Sequence, residues 1–402
     1  MSKAIEYMEK QTNFRMPKVF NAAGFEKIKG GINEMKTTLG DFGSVDKINQ
    51  IMIIIIGFIF FTVFFWCYRK LSLDTKNCEN LNALYSEPSL VRSINIKNPI
   101  YNYKLRDYYI KTAYNCCSAG IFKNDFVNLC ALKSCIKQGA RCLDFEIYSI
   151  DNNPVIAISS KINFSVKGSY NSIPFSEAMT VISTYAFSGS TCPNHEDPLI
   201  LHFRIMSNNP KIQNQMATVL YNTLEDRLLG KKFSYENDGV NLGGYQLNLL
   251  MGKVVIIVDK ANPIFVNTKL YEYVNLASNS VFMRSLRFND VKFSPDTKEL
   301  LYYNKENMSI VLPDTSATNN NFSPTLPMTY GCQMIGLSFQ NFDKNMEFYT
   351  KMFDESGSAF ILQDEMYRYV PIFIEKPPPQ NPDYSYGTRV RPILDGIEDL
   401  FF

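Results

Sequence analysis

Residues 138–156 read QGARCLDFEIYSIDNNPVI, and residues 198–206 read PLILHFRIM. Each contains an apolar run of strand length and strand composition, CLDFEIYSI (142–150) in the first and LILHFRI (199–205) in the second. The pattern recurs in KVVIIVDK (253–260), QMIGLSFQ (333–340) and AFILQ (359–363). Between these runs lie helical patterns such as VNLCALKSCIKQG (127–139) and PKIQNQMATVLYNTLEDRLLG (210–230). Strands alternating with helices over about 270 residues predict an α/β domain with a parallel sheet, and a (β/α)8 TIM-barrel-like fold suits that length.

Composition narrows the classes around that core. The chain of 402 residues is 46% hydrophobic and 20% charged, too apolar for a disordered protein. Its 41 Lys+Arg against 39 Asp+Glu give a formal charge of +2, which speaks against a nucleic-acid partner held by a bulk basic field. The nine cysteines form no CxxC pair or Cys/His cluster, so no metal site of the zinc type is expected. Their odd number suits reduced thiols better than a disulfide framework. Three N-x-S triplets, at Asn163, Asn307 and Asn321, point weakly the other way. The heavy use of Ile, Asn, Lys, Tyr and Phe is typical of an AT-rich genome, such as that of a protist or a large DNA virus.

Ile51–Tyr68 reads IMIIIIGFIFFTVFFWCY and carries no charge. As a helix it spans about 27 Å, near the ~30 Å hydrocarbon core of a bilayer. Trp66 and Tyr68 followed by Arg69 and Lys70 resemble an interfacial aromatic belt with snorkelling cations. A single transmembrane helix is therefore expected over residues 48–70, with the lipid bilayer as a partner. A cleavable signal peptide does not fit, since a long polar stretch precedes the span. Arg69, Lys70 and Lys76 after it outnumber Lys36 and Lys47 before it, which places the C-terminal domain on the cytosolic side. Residues 1–47 read as a polar tail, 71–103 as a linker, 104–375 as the barrel, and 376–402 as an extended Pro/Tyr-rich tail. The two tails are the expected sites for protein partners.

Two blocks resemble the X and Y boxes of the eukaryotic phosphoinositide-specific phospholipases C, in their order. The X-like half, 104–260, holds YYIKTAYNCC (108–117), QGARCLDFEIYSIDNNPVI, and FSEAMTVISTYAF followed by DPLILHFR. The Y-like half, 280–375, holds NKENMSIVLPDTSATNNNFSPTLPMTYGCQMIGLSFQ (304–340) and ESGSAFILQ (355–363). The resemblance implies a barrel whose active relatives cleave a phosphodiester with two histidines and a Ca²⁺.

At the positions that resemblance marks, the chemistry is lost. The chain has two histidines, His195 and His202, and neither falls at a family catalytic position. Those positions hold Tyr114 and Ile158. The four calcium positions read Asn115, Asp144, Glu146 and Arg204, so one ligand has become a permanent cation. The headgroup-binding lysines, arginine and tyrosine correspond to Ile257, Asp259, Ile310 and Leu312, with Lys260 one position away. No catalytic residue, metal or other cofactor is therefore expected. His202, two residues before Arg204, is the one candidate outside the family pattern, and Ca²⁺ would be required only if the site worked. The expectation is a membrane-anchored pseudoenzyme with a structural or scaffolding role, suited to the membrane of a large DNA virus particle. The alternatives are a non-hydrolysing binder of phosphoinositides or other anions, and an active diester hydrolase using His202, Asp144 and Glu146.

Overall fold

The alternation of strand and helix closes into a barrel of parallel strands. The computed structural model describes residues 29–31, 45–161, 167–235 and 241–371, with short stretches of 375–401. Two helices come first, α1 (Val45–Leu71) and α2 (Leu73–Leu84). The X-like half runs β1 (Tyr108–Ala113), α3 (Leu129–Lys137), β2 (Cys142–Ile150), β3 (Asn153–Ile156), β4 (Ile173–Pro174), α4 (Phe175–Tyr185), β5 (Leu199–Ile205), α5 (Pro210–Leu224) and β6 (Val254–Asp259). The second half runs β7 (Leu276–Ser278), β8 (Met283–Arg287), α6 (Phe288–Lys292), α7 (Thr297–Glu306), β9 (Met308–Leu312), α8 (Thr325–Met328), β10 (Met334–Leu337), α9 (Lys344–Ser356) and β11 (Phe360–Leu362).

Around the barrel the order is β7-β6-β5-β2-β1-β10-β9-β8. Each hydrogen-bonded pair along that path is parallel. β7 and β8 follow each other in sequence and form the two ends of the path, so the barrel is nearly closed. β3 extends β2 as an antiparallel hairpin, and β11 lies antiparallel on β1. Helix starts are fixed locally. The Asn128 side chain caps α3, and Asn209 caps α5 ahead of Pro210. Gly357, at φ 67°, ends α9 in the left-handed conformation that glycine adopts at no steric cost.

Strand periodicity divides polar from apolar with unusual consequences. Phe145 and Phe203 face outward with ring centroids 5.8 Å apart, and Phe175 of α4 packs 5.4 Å from Phe203. Their sequence neighbours Asp144, Glu146, His202 and Arg204 therefore face the barrel interior. Parallel register sets Asp144 opposite His202 and Glu146 opposite Arg204.

Within α1, the stretch Asn49–Lys70 is long and apolar enough to cross a membrane, with mean hydropathy 2.6 and none of it buried against the protein. Arg69 and Lys70 occupy its last turn. The expected tail 1–47 falls outside the described residues apart from 29–31 and the start of α1. Asn163 lies outside them as well. Val370–Phe402 forms a separate unit in which β12 (Val390–Arg391) pairs antiparallel with β13 (Leu400–Phe401).

Residues 71–103 do not behave as the expected linker. Helix α2 packs on α3, and Leu81, Tyr85, Val91 and Ile94 are buried in the main core. The Tyr85 hydroxyl donates to the Phe339 carbonyl at 2.6 Å, and the Ile94 amide donates to the Asp197 carboxylate at 2.7 Å. Four apolar side chains spread over fourteen residues are too sparse for a period to be read, yet each finds a slot on the barrel. The expectation of reduced thiols is also corrected. Cys78 of α2 and Cys130 of α3 form a disulfide, and six of the seven free cysteines are buried. One bridge plus sequestered thiols accounts for the odd number. Closing a 52-residue separation contributes roughly 4 kcal/mol in the chain-entropy picture. Of the two described sequons, Asn321 is buried and its side-chain amide donates to Ser338 and Asn341 carbonyls, leaving no room for a glycan.

The same strap is fastened by a buried lysine. Lys111 of β1 is fully buried, 3.2 Å from the Ser89 hydroxyl and 3.8 Å from the Asp354 carboxylate of α9. Burial pushes its pKa down to about 8, against the opposing pull of Asp354. Between pH 8 and the unfolded value near ~10.4, the unfolded chain binds the proton that the native state has released. On its own this makes the thermal midpoint rise over that window, against the fall caused by buried thiols and phenols whose unfolded forms ionise there. The wild-type midpoint should therefore fall less across the window than that of Lys111→Met; equal falls in the two proteins would remove Lys111 as a contributor.

Candidate functional site

The charged interior of the barrel opens at the carboxyl ends of its strands, where sites of this architecture lie. Arg204 from β5 is its centre. Its Nε and Nη2 donate to the two oxygens of Asp144 at 2.9 and 2.7 Å, a bidentate clamp. Nη1 donates to Glu146 Oε1 at 2.7 Å, and Nη2 also donates to Asn115 Oδ1 at 2.8 Å. The structure thus brings together all four residues Asn115, Asp144, Glu146 and Arg204. Asn115 follows β1 with φ 43°, a left-handed conformation that asparagine tolerates better than most residues, and its backbone amide donates to Asp144 Oδ2 at 3.2 Å. The Tyr114 ring caps the assembly, its centroid 4.9 Å from the guanidinium carbon.

His202 completes the network from below. Its Nδ1 lies 2.7 Å from Asp144 Oδ1, and its Nε2 lies 2.9 Å from the Ser278 hydroxyl. An ionised carboxylate only accepts, so Nδ1 carries a proton. The order Asp144–His202–Ser278 is that of an acid–base–nucleophile relay. All three side chains have no solvent exposure, however, so Ser278 meets no substrate and the relay is a structural one. His195 lies in the loop before β5, at the opposite end of the barrel.

The charge states follow from these contacts. Burial alone would raise the Asp144 pKa, but the Arg204 charge and the bonds from His202 and Arg204 outweigh it and hold the carboxyl well below its usual range. Burial raises the Tyr114 phenol, so that ring stays protonated and neutral. Glu146 is held from its far side by the Tyr148 hydroxyl at 3.0 Å and the Ser159 amide at 2.9 Å. A calcium ion needs six to eight oxygen ligands. Here Asn115 Oδ1, both Asp144 oxygens and Glu146 Oε1 each face the guanidinium, so these residues do not fit a divalent cation. Among the described residues no group of three or more His, Cys, Asp or Glu side chains could hold a metal.

Above the network is a cleft of about 180 Å³, lined by Tyr114, Lys161, Arg204, Asp259, Asn279 and Arg287 among others. That is below the roughly 300 Å³ at which small-molecule sites usually begin.

Comparison with known proteins assigns the fold to a family. Residues 101–260 match the phosphatidylinositol-specific phospholipase C X domain, and residues 265–366 match its Y domain. The chain belongs to that phospholipase C family. A stretch of 100 residues is 31% identical to the 1-phosphatidylinositol 4,5-bisphosphate phosphodiesterase beta-1 of Bos taurus, and equally to that of Mus musculus. The stretch covers 25% of this chain but only 7% of those relatives. The crystal structures of L. pealei and S. officinalis PLC21 superpose with TM-scores of 0.55 and 0.54 at 19% and 18% identity. Each comparison covers 70% of this chain and 39% of the other, and shows the shared fold.

The remaining positions that the sequence resemblance marks scatter from the network. Ile158, after β3, is buried and its amide approaches the Ser169 hydroxyl. Ile257, Ile310 and Leu312 are buried in β6 and β9 and belong to the apolar core. Asp259 rims the cleft and accepts from Asn279 at 2.6 Å, while Lys260 points to solvent. Sequence reasoning missed Ser278, Tyr148 and Ser159. Tyr148, two residues after Glu146 on one strand, was findable from strand periodicity; Ser278 becomes visible only once β7 closes on β6.

Replacing Arg204 by methionine leaves Asp144 and Glu146 buried together without a counter-ion. Stability should fall by about 3 kcal/mol or more, read as a lower denaturation midpoint of the full chain in detergent micelles. An unchanged midpoint would show that the guanidinium is not what holds the two acids.

Proposed function

We propose that the chain is a membrane-anchored, non-hydrolysing member of the phospholipase C family whose barrel serves as a structural or scaffolding surface. The observation that carries this reading is the guanidinium of Arg204, bonded to all three oxygen-bearing residues at the family's calcium positions. The two proton-transfer positions hold Tyr114, a neutral buried phenol, and Ile158, which has no titratable group. Neither substitutes for an imidazole near neutral pH. No cofactor is required. The bilayer is the first partner, and protein partners would bind through the N- and C-terminal tails. Composition favours a virion membrane component of a large DNA virus. The charge balance across α1 favours a cytosolic barrel by a margin of one; the Cys78–Cys130 disulfide weighs against that side, since its formation needs an oxidant.

A second reading is a non-cleaving anion binder, favoured by Lys161 and Arg287 at the cleft. The third, an active hydrolase built on His202, Asp144 and Glu146, has all three side chains locked in the buried network.

The full chain, assayed on phosphoinositide micelles with Ca²⁺, should give no inositol phosphate above background. Turnover that disappears in His202→Ala would overturn the reading in favour of the third.

A further inference from the structure

Helix α2 joins the apolar helix to the barrel, and its contacts are unevenly placed. It runs alongside α3 in the same direction, from the site-bearing end of the barrel toward the opposite end. At its start the Asn128 side chain donates to Asp74 at 3.0 Å, Asn77 donates to Asp125 at 2.9 Å, and Cys78 is bonded to Cys130. The Lys70 ammonium, in the last turn of α1, lies 5.3 Å from the centre of the Tyr170 ring. Asp125 and Asn128 belong to the loop after β1 and Tyr170 to the loop between β3 and β4, on the rim of the site. Only Ser72 separates α1 from α2. The apolar helix therefore leaves the barrel at the rim of the site.

The fit at this point is close. A side chain at Gly120 would collide with the Asp125 carboxylate and approach the Asn77 amide to 2.7 Å. Asp125 in turn accepts from the Ile121 amide at 3.0 Å, so the loop that holds Asn77 also presents Ile121 to solvent, 45% exposed. Cys78 and Cys130 are both half-buried, within reach of a soluble thiol, unlike the six buried free cysteines.

We propose that the Cys78–Cys130 disulfide is a redox-sensitive clasp that keeps the site-bearing end of the barrel against the bilayer surface, with the β1–α3 loop around Ile121 facing the lipid headgroups. This rests on α1 spanning that bilayer. The oxidised pair shortens the free connection between span and barrel to the single residue Ser72. A dithiol reductant opens it by exchange: the Cys78–Cys130 bond breaks, both sulfurs leave as thiols, and the reductant becomes the disulfide. The holds that remain at the start of α2 include the Asn128–Asp74 and Asn77–Asp125 hydrogen bonds and the Lys70–Tyr170 contact, each with at least one side chain that is only partly buried. The barrel then pivots on the longer strap without unfolding.

The test uses the full chain in liposomes of phosphatidylcholine with anionic lipid and a headgroup-labelled energy acceptor. A genetically encoded fluorescent residue is placed at Ile121 or, in a second preparation, at Leu249, which is exposed at the opposite end of the barrel. In the oxidised protein, transfer from 121 should exceed that from 249 at least twofold. Dithiothreitol, or Cys78→Ser, should bring the ratio toward one while circular dichroism stays unchanged, and Cys67→Ser should leave it alone. Equal transfer from both ends of the oxidised protein overturns the proposal. So does a ratio that survives reduction, or a peptide map of the unreduced protein without the Cys78–Cys130 link. Release of the protein from the liposomes by carbonate is a different failure, that of the anchoring reading itself.

Discussion

Three strands of this barrel end around one guanidinium. Arg204 enters from β5, Asp144 and Glu146 from β2, and Asn115 from the end of β1. Two carboxylates this close repel and raise one another's pKa unless a positive charge lies between them. In a metal-dependent relative that charge arrives from solution and can leave. Here it is part of the chain. The compensation is permanent and cannot be displaced by substrate or chelator. His202 and Ser278 then follow as the partners that satisfy the remaining lone pairs of Asp144 and the far side of the ring. A buried ion pair is weak evidence for net stability, because desolvation offsets much of its attraction. What it fixes is geometry: Arg204 joins residues of three strand ends through four hydrogen bonds.

What was legible in the sequence divides along physical lines. The barrel was, because strand-length apolar runs and helical patterns alternate along it. The four-residue network was legible once the X-box resemblance put Asn115, Asp144, Glu146 and Arg204 on neighbouring strand ends. Period two then turned Arg204 and His202 toward the same interior. The exchange of Ser278 with His202 was not legible, since it depends on the stagger of β7 against β6. The disulfide was hidden for a similar reason. Nothing local distinguishes Cys78 and Cys130 from seven other cysteines until α2 lies along α3. The strap from Tyr85 to Ile94 was read as linker because its apolar residues have no period; their slots belong to the barrel, and so does the Asp197 carboxylate that receives the Ile94 amide.

The two ends of the molecule's story meet at the rim of the site. The same loops that would admit a lipid headgroup hold the start of α2, and through it the end of the apolar helix. A barrel whose charged interior is closed by its own arginine and whose rim is fastened to a helix long and apolar enough to cross a membrane is suited to presenting a surface at a fixed attitude. The fold is shared with the phospholipases C; the closure rests on Arg204 and the fastening on Cys78 and Cys130.

The central claim is that Arg204 stands where a divalent cation would otherwise bind. It is tested most directly by titrating the full chain with Ca²⁺, or with luminescent Tb³⁺ in its place, for the wild type and for Arg204→Glu. The account predicts no saturable binding to the wild type at this site and measurable binding to the variant, whose fourth position again supplies an oxygen ligand. Saturable binding to the wild type that is lost in Asp144→Asn would contradict it.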